Sequence, residues 1–224
     1  MIEPLREGSA SRWNPANLVT LSRILVTPIF LWLIFRPELW AVWTAGVLWA
    51  WGATSDYLDG YLARKYRWHS PFGALLDPLA DKVLLLAVMI AFVQMDLVPG
   101  WMVVTITARE FLVTGLRQVA LTRGVVIAAS RAGKHKTVSQ IVAISVVMTL
   151  LCVRMTVETR PGAWDAMLSG MGPVGETLQA VLWGGPYWLM FYATAMSVLS
   201  GVDYVVRNRA VLAPPPADAK KETT

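Results

Sequence analysis

The sequence predicts an all-α fold: an integral membrane bundle of six transmembrane helices with a short N-terminal surface helix. Three observations carry this expectation. Hydrophobic residues fill 55% of the 224 positions and charged ones 16%, with eleven tryptophans and a mean hydropathy of +0.49, a composition suited to a bilayer rather than to water. Apolar runs of spanning length recur along the chain, separated by short polar turns. Lysine and arginine gather at the ends of those runs, so the net charge of +5 and pI near 9.6 point to a membrane surface rather than to nucleic acid. No interior stretch is polar and long enough to be a linker. One domain, residues 17–207, is therefore expected between a juxtamembrane segment, 1–16, and a tail, 208–224.

Residues 1–16 are polar and show no cleavable signal pattern, and Arg6, Arg12 and Trp13 favour a helix lying on the membrane. The first span runs from Leu18 to Phe35. Interfacial caps with a snorkelling arginine are one reading of its opening amides, hydroxyls and Arg23, and polar residues bordering a site are the other. The second span is Leu39 to Leu62 and the third Phe72 to Val93, reversed by a basic turn that ends at Pro71. Asp96 to Gly100 is a tight turn on the other side. The fourth span, Trp101 to Leu121, carries Arg109 and Glu110 well inside; adjacent residues do not face each other on a helix, so each is expected to need its own partner. The fifth opens at Arg131 and reaches Val153. From Glu158 to Pro186 the chain is rich in glycine and proline and reads as a loop with short interfacial helices. Tyr187 to Val206 is the sixth span, and the proline-rich, polar tail is expected to be disordered. Cys152 is the single cysteine, which excludes a disulfide within the chain, and His69 and His135 lie in basic turns where solvation is the default.

Counting the 20 lysines and arginines fixes an orientation. Fourteen fall on the side of the termini, among them Arg64, Arg117, Lys134 and Lys136. Three (Arg36, Arg154 and Arg160) fall opposite, and three lie within spans. The positive-inside rule puts both termini on the cytoplasmic side, together with the turn joining the second and third spans.

That turn is flanked by acids. Asp56 and Asp59 close the second span, and Asp77 and Asp81 open the third. A charge near the middle of a spanning helix costs about 2.5–3.5 kcal/mol on insertion scales, so ionisable groups there mark function. At 100° per residue, Asp56, Asp59, Gly60 and Ala63 share one stripe, and Gly73, Asp77 and Asp81 recur every four residues on another. Each acid thus stands beside a very small residue, which permits close approach of a ligand or a neighbouring backbone. Four carboxylates aimed at one volume cannot all stay ionised without compensation. An all-oxygen donor set suits Mg²⁺, Mn²⁺ or Ca²⁺ rather than zinc, and Mg²⁺ commonly shares its shell with substrate phosphates, which Arg64 would complement. Singly, Asp77 before Pro78 reads as a helix N-cap, and the Asp56/Asp59 pair as interfacial.

The whole pattern, Asp56-x2-Asp59-Gly60-x2-Ala63-Arg64-x8-Gly73-x3-Asp77-x3-Asp81, resembles the signature of the CDP-alcohol phosphatidyltransferase family at all eight fixed positions. The resemblance implies a CDP-linked lipid donor, CDP-diacylglycerol in most bacterial members, and two divalent cations, Mg²⁺ or Mn²⁺. It implies Asp56, Asp59 and Asp77 as metal ligands, with Asp81 either on the second ion or acting as general base. Asp59, Gly60, Ala63, Arg64 and Gly73 would hold the CDP moiety. A homodimer in the bacterial inner membrane is implied as well. Residues 108–118, Ala-Arg-Glu-Phe-Leu-Val-Thr-Gly-Leu-Arg-Gln, and 133–137, Gly-Lys-His-Lys-Thr, resemble the branch that makes phosphatidylglycerophosphate. There the acceptor is sn-glycerol 3-phosphate, with Arg117, Lys134 and Lys136, and also Arg109, as candidates for its phosphate. Read from the residues alone, the same cations are either a phosphate site or ordinary positive-inside charge. Inositol phosphate or serine are the alternative acceptors within the family. A Mg²⁺-dependent intramembrane prenyltransferase is a more remote reading, and a transporter with an aspartate proton relay is the non-enzymatic one.

Chelation separates the last reading from the others. Stripping divalent ions is expected to abolish turnover in purified protein, with Mg²⁺ or Mn²⁺ restoring it; a proton relay would run undiminished.

Overall fold

A computed structural model describes residues 15–66, 71–122, 125 and 131–209. It is all-α, with no strand among the described residues. Among the described residues seven helices follow one another: α1 Pro15–Ile34, α2 Leu39–Tyr66, α3 Pro71–Gln94, α4 Gly100–Thr122, α5 Arg131–Glu158, α6 Pro161–Gly170 and α7 Pro173–Arg207. The surface helix expected within 1–16 and most of the 208–224 tail lie outside the described residues.

Two groups of contacts organise the bundle. α1 packs against both α2 and α3, while α7 packs against α5 and α4, and α2 against α5 and α3 against α4 close the remaining seams. Phe30, Val42, Phe92, Met102, Ile106, Ile144, Met148 and Met190 fill the core between them. Two indole N–H groups cross from α2 to α5: Trp43 Nε1 donates to Thr156 Oγ1 at 3.1 Å, and Trp49 Nε1 to Ser145 Oγ at 3.0 Å. The pairs run in opposite directions along the chain, so α2 and α5 are antiparallel.

The outside is apolar and several inside positions are polar. Trp32, Trp40, Val47, Val104, Phe111, Trp188 and Leu199 are exposed, whereas Arg23, Lys136, Gln140, Thr194, Ser197 and Ser200 are buried. Water would favour the reverse. By length and composition, His135–Glu158 and Pro173–Arg207 are long and apolar enough to cross a membrane, and Leu21–Ile34 and Lys82–Gln94 are shorter apolar segments. Among the described residues two helices meet that measure, so the all-α class stands while the expected count of six spans is not established by length and composition. The acids at the end of α2 and the start of α3, and the Arg109–Glu110 pair in α4, break up the apolar runs.

Three expectations are corrected. Residues 158–186, expected as a loop with short interfacial helices before a sixth span at Tyr187, do contain one short helix, the ten-residue α6, but α7 starts at Pro173 rather than Tyr187 and runs unbroken for 35 residues. Pro161 and Pro173 each open a helix, where a missing N–H costs nothing. Pro186 is buried within α7, and packing against neighbours supports a proline inside such a helix. Gly185 lets α5 approach closely, since a Cβ there would stand 3.1 Å from Leu150 Cδ1. Arg23 does not snorkel; it is 2% exposed and lies among Trp49, Gly52 and Leu84. Arg109 and Glu110 do pair with each other, as described below.

The tight turns behave as read. Asp96 takes a positive φ of 55° between α3 and α4, a conformation that aspartate tolerates better than most residues. Gly172, at φ 52°, turns α6 into α7, and Gly175 then sits against the α6 backbone: a Cβ there would lie 2.3 Å from the Leu168 carbonyl oxygen. Main chain cannot swing aside as a side chain can. Gly175→Ala is therefore expected to cost about 1–3 kcal/mol, read as a lowered Tm of the detergent-solubilised protein; an unchanged Tm would mean that α6 is not packed there.

Candidate functional site

The acid motif divides between two helices. Asp56, Asp59, Gly60, Ala63 and Arg64 occupy the last turns of α2, and Gly73, Asp77 and Asp81 the first turns of α3. Their side chains lie outside the described residues, and so do residues 67–70. Just before the motif, Gly52 of α2 meets Leu84 of α3 so closely that a Cβ would be 2.2 Å from Leu84 Cδ2. Ser55, beside Asp56 in the chain, is buried and donates to the Gly52 carbonyl at 3.0 Å.

A cavity of about 560 Å³ opens among α4, α5 and α7. Arg109, Glu110, Val113, Thr114 and Arg117 line it from α4; Gly133, Lys136, Thr137 and Val138 from α5; Tyr204 from α7. Three of the four acceptor-phosphate candidates, Arg109, Arg117 and Lys136, thus meet at one place. The side chain of the fourth, Lys134, lies outside the described residues. His135, between Lys134 and Lys136, is exposed.

Glu110 organises the cations. Its Oε1 accepts from Arg109 Nη1 at 3.1 Å and from Lys136 Nζ, joining α4 to α5. Adjacency on the helix does not prevent the first contact, because the guanidinium arm is long enough to reach the neighbouring carboxylate. Arg109 Nη2 also donates to Ser200 Oγ of α7 at 2.7 Å. Gly201, the next residue, makes room for that arm: a Cβ there would stand 2.9 Å from Arg109 Cγ. Lys136 has only 5% of its side chain exposed. A buried ammonium needs such a counter-charge. Three cations against one carboxylate leave an excess of positive charge around a hollow, which is the chemistry of an anion site.

Two links tie this cavity to the acid motif. Lys82, next to Asp81 in the chain, donates from Nζ to Thr114 Oγ1 at 3.0 Å, and Thr114 lines the cavity. The antiparallel α2–α5 pairing also brings the two to one level. Trp49 is bonded to Ser145; one residue rises about 1.5 Å in either helix, so moving from Trp49 to Asp56 on α2 corresponds to moving from Ser145 to Val138 on α5. Val138 is a lining residue.

The sequence reading missed Glu110 as the shared counter-ion, and it missed Ser200, Gly201 and Tyr204 altogether. A signal for the last group was present. Ser197, Ser200, Gly201 and Tyr204 recur at helical spacing within an apolar run, and all four are buried, so they form a polar and small stripe turned inward.

Residues 13–194 match the family described as CDP-alcohol phosphatidyltransferase. The chain is 43% identical over 148 residues to the CDP-diacylglycerol–glycerol-3-phosphate 3-phosphatidyltransferase of Bacillus subtilis (strain 168), covering 61% of this chain and 77% of that one. It is 35% identical over 209 residues to a probable phosphatidylglycerophosphate synthase of Mycobacterium tuberculosis (strain CDC 1551 / Oshkosh), covering 89% and 84% respectively. A Rickettsia typhi protein with the same name as the Bacillus one is 36% identical over 135 residues, covering 60% of this chain and 76% of that one.

Glu110→Gln removes the charge that Arg109 and Lys136 share. The variant is expected to be less stable by about 1–3 kcal/mol, and Glu110→Gln/Lys136→Met to recover part of that loss, because the second change removes the ammonium left uncompensated. Thermal melts of both variants check it; a double variant no more stable than the single one would show that the pair carries no charge coupling.

Proposed function

The chain belongs to the CDP-alcohol phosphatidyltransferase family, and from that premise we propose that it moves a phosphatidyl group from CDP-diacylglycerol to sn-glycerol 3-phosphate, giving phosphatidylglycerophosphate and CMP in phospholipid synthesis. The observation that carries the acceptor is the cationic cavity of Arg109, Arg117 and Lys136, level with the end of α2. An acceptor that brings its own phosphate is what such a hollow suits. A neutral alcohol such as serine would leave the positive charge unanswered. The names of the relatives point the same way.

In this reading Asp56, Asp59, Asp77 and Asp81 hold two divalent cations. The donor set fits: four carboxylates, no sulfur or imidazole, at the ends of two consecutive helices. When bound, such ions neutralise phosphate charge and stabilise the entering and leaving oxygens of an in-line displacement. Asp59, Gly60, Ala63, Arg64 and Gly73 accommodate the CDP moiety, the small residues by leaving room and Arg64 by binding phosphate oxygens. Arg109, Arg117, Lys134 and Lys136 hold the acceptor phosphate, so that its free primary hydroxyl points toward the acids. The hydroxyl oxygen forms a bond to the lipid-bearing phosphorus, the bond from that phosphorus to the CMP oxygen breaks, and the hydroxyl proton passes to Asp81. A carboxylate with an ordinary pKa near 4 takes that proton late in the transition state. Positioning and charge neutralisation supply the rest, as is general for transfer at phosphorus.

In this proposal the bundle lies in a bilayer, which its apolar exterior supports, and the acids and the cavity lie at the cytoplasmic face, which the excess of lysine and arginine at the terminal side supports. There the donor arrives from the lipid and the acceptor from water. A homodimer in the inner membrane completes the reading.

Purified protein given CDP-diacylglycerol and labelled glycerol 3-phosphate is expected to move label into organic-extractable lipid with stoichiometric release of CMP. A panel with inositol phosphate or serine in place of glycerol 3-phosphate should give little product; preference for either would overturn the acceptor. Asp81→Asn at saturating Mg²⁺ is expected to lower kcat by about 10²-fold or more, and near-native turnover would rule out its role as base.

A further inference from the structure

Tyr204 stands apart from the other groups around the cavity. It is 4% exposed and lines the hollow from α7, yet its hydroxyl has no hydrogen-bond partner among the described residues. Leaving a buried hydroxyl unmatched is costly, so an orphan of this kind in a cavity wall is a candidate ligand contact. Its polar neighbours are already engaged: Glu110 by Arg109 and Lys136, Thr114 by Lys82, and Thr137 by the Gly133 carbonyl.

The surroundings define what that hydroxyl meets. A phenol O–H is able to donate, and the arginines and lysine beside it are donors without acceptors. Donors converging on one hollow call for a ligand group that only accepts, and a phosphate monoester is such a group. α7 contributes twice: one turn before Tyr204, Ser200 accepts from Arg109 and Gly201 clears the path of its arm. The same helix face therefore aims the guanidinium and presents the phenol.

We propose that Tyr204 binds the phosphate of the acceptor through its hydroxyl, making α7 part of the surface that selects a phosphorylated alcohol. This deepens the proposed transfer reaction and rests on it for the acceptor's identity. It concerns a part of the chain beyond residue 194, where the family match stops.

The test uses full-length protein and Tyr204→Phe, which keeps the ring and removes only the hydroxyl, with glycerol 3-phosphate as the probe in both a binding titration and the transfer assay. Loss of a hydrogen bond to a charged group is expected to raise the Kd and KM for glycerol 3-phosphate about tenfold or more, with KM for CDP-diacylglycerol held within about twofold and Tm unchanged. A structural role alone would move Tm or both KM values together and would overturn the proposal. Wild-type transfer combined with an unaltered acceptor KM in Tyr204→Phe would sink the role of Tyr204 while leaving the reaction standing. Wild-type protein that binds glycerol 3-phosphate without transferring to it would sink the reaction, and the ratio of the two Kd values would then decide Tyr204 alone. If wild-type protein neither binds nor transfers to it, both fall.

Discussion

A single carboxylate holds the polar interior of this bundle together. Glu110 takes charge from Arg109 on its own helix and from Lys136 on α5, and Arg109 passes a further bond to Ser200 on α7. Three helices are thereby joined around one partly buried acid. An unshared cation there would be costly, and an unshared acid equally so. The arrangement also leaves cationic edges turned into the cavity, because one negative charge cannot saturate three positive ones. Stability and anion affinity draw on the same few atoms.

The acid motif was legible in the sequence because its spacing is dense and its surroundings apolar. Eight fixed positions within twenty-six residues carry more information than any propensity, and the boundaries of α2 and α3 lie close to those read from hydropathy. The end of the chain was harder. Glycine and proline between Glu158 and Pro186 normally punctuate loops, yet Pro173 starts a helix that Pro186 does not stop. What decides this is close packing of α7 on α5 and of Gly175 on α6, a tertiary effect that local statistics do not contain. Arg23 misled for a related reason. An arginine near a helix end reads as reaching for solvent, and only the placement of α1 between α2 and α3 shows that its surroundings are protein.

The inward polar stripe of α7 illustrates a different gap. Serine in an apolar helix ordinarily satisfies itself by bonding to a carbonyl one turn back, as Thr194 does with Met190. Ser200 instead accepts from a guanidinium, and nothing in its local sequence distinguishes the two uses. Tyr204 in isolation looks like an interfacial aromatic. Its meaning comes from the cations contributed by α4 and α5, far from it in the chain.

The two indole bonds between α2 and α5 act as pegs in a ruler. With Trp43 fixed to Thr156 and Trp49 to Ser145, neither helix can slide lengthwise past the other without breaking both, so the axial offset between the acids at the end of α2 and the lysine at the start of α5 is set by hydrogen bonds placed many ångströms away.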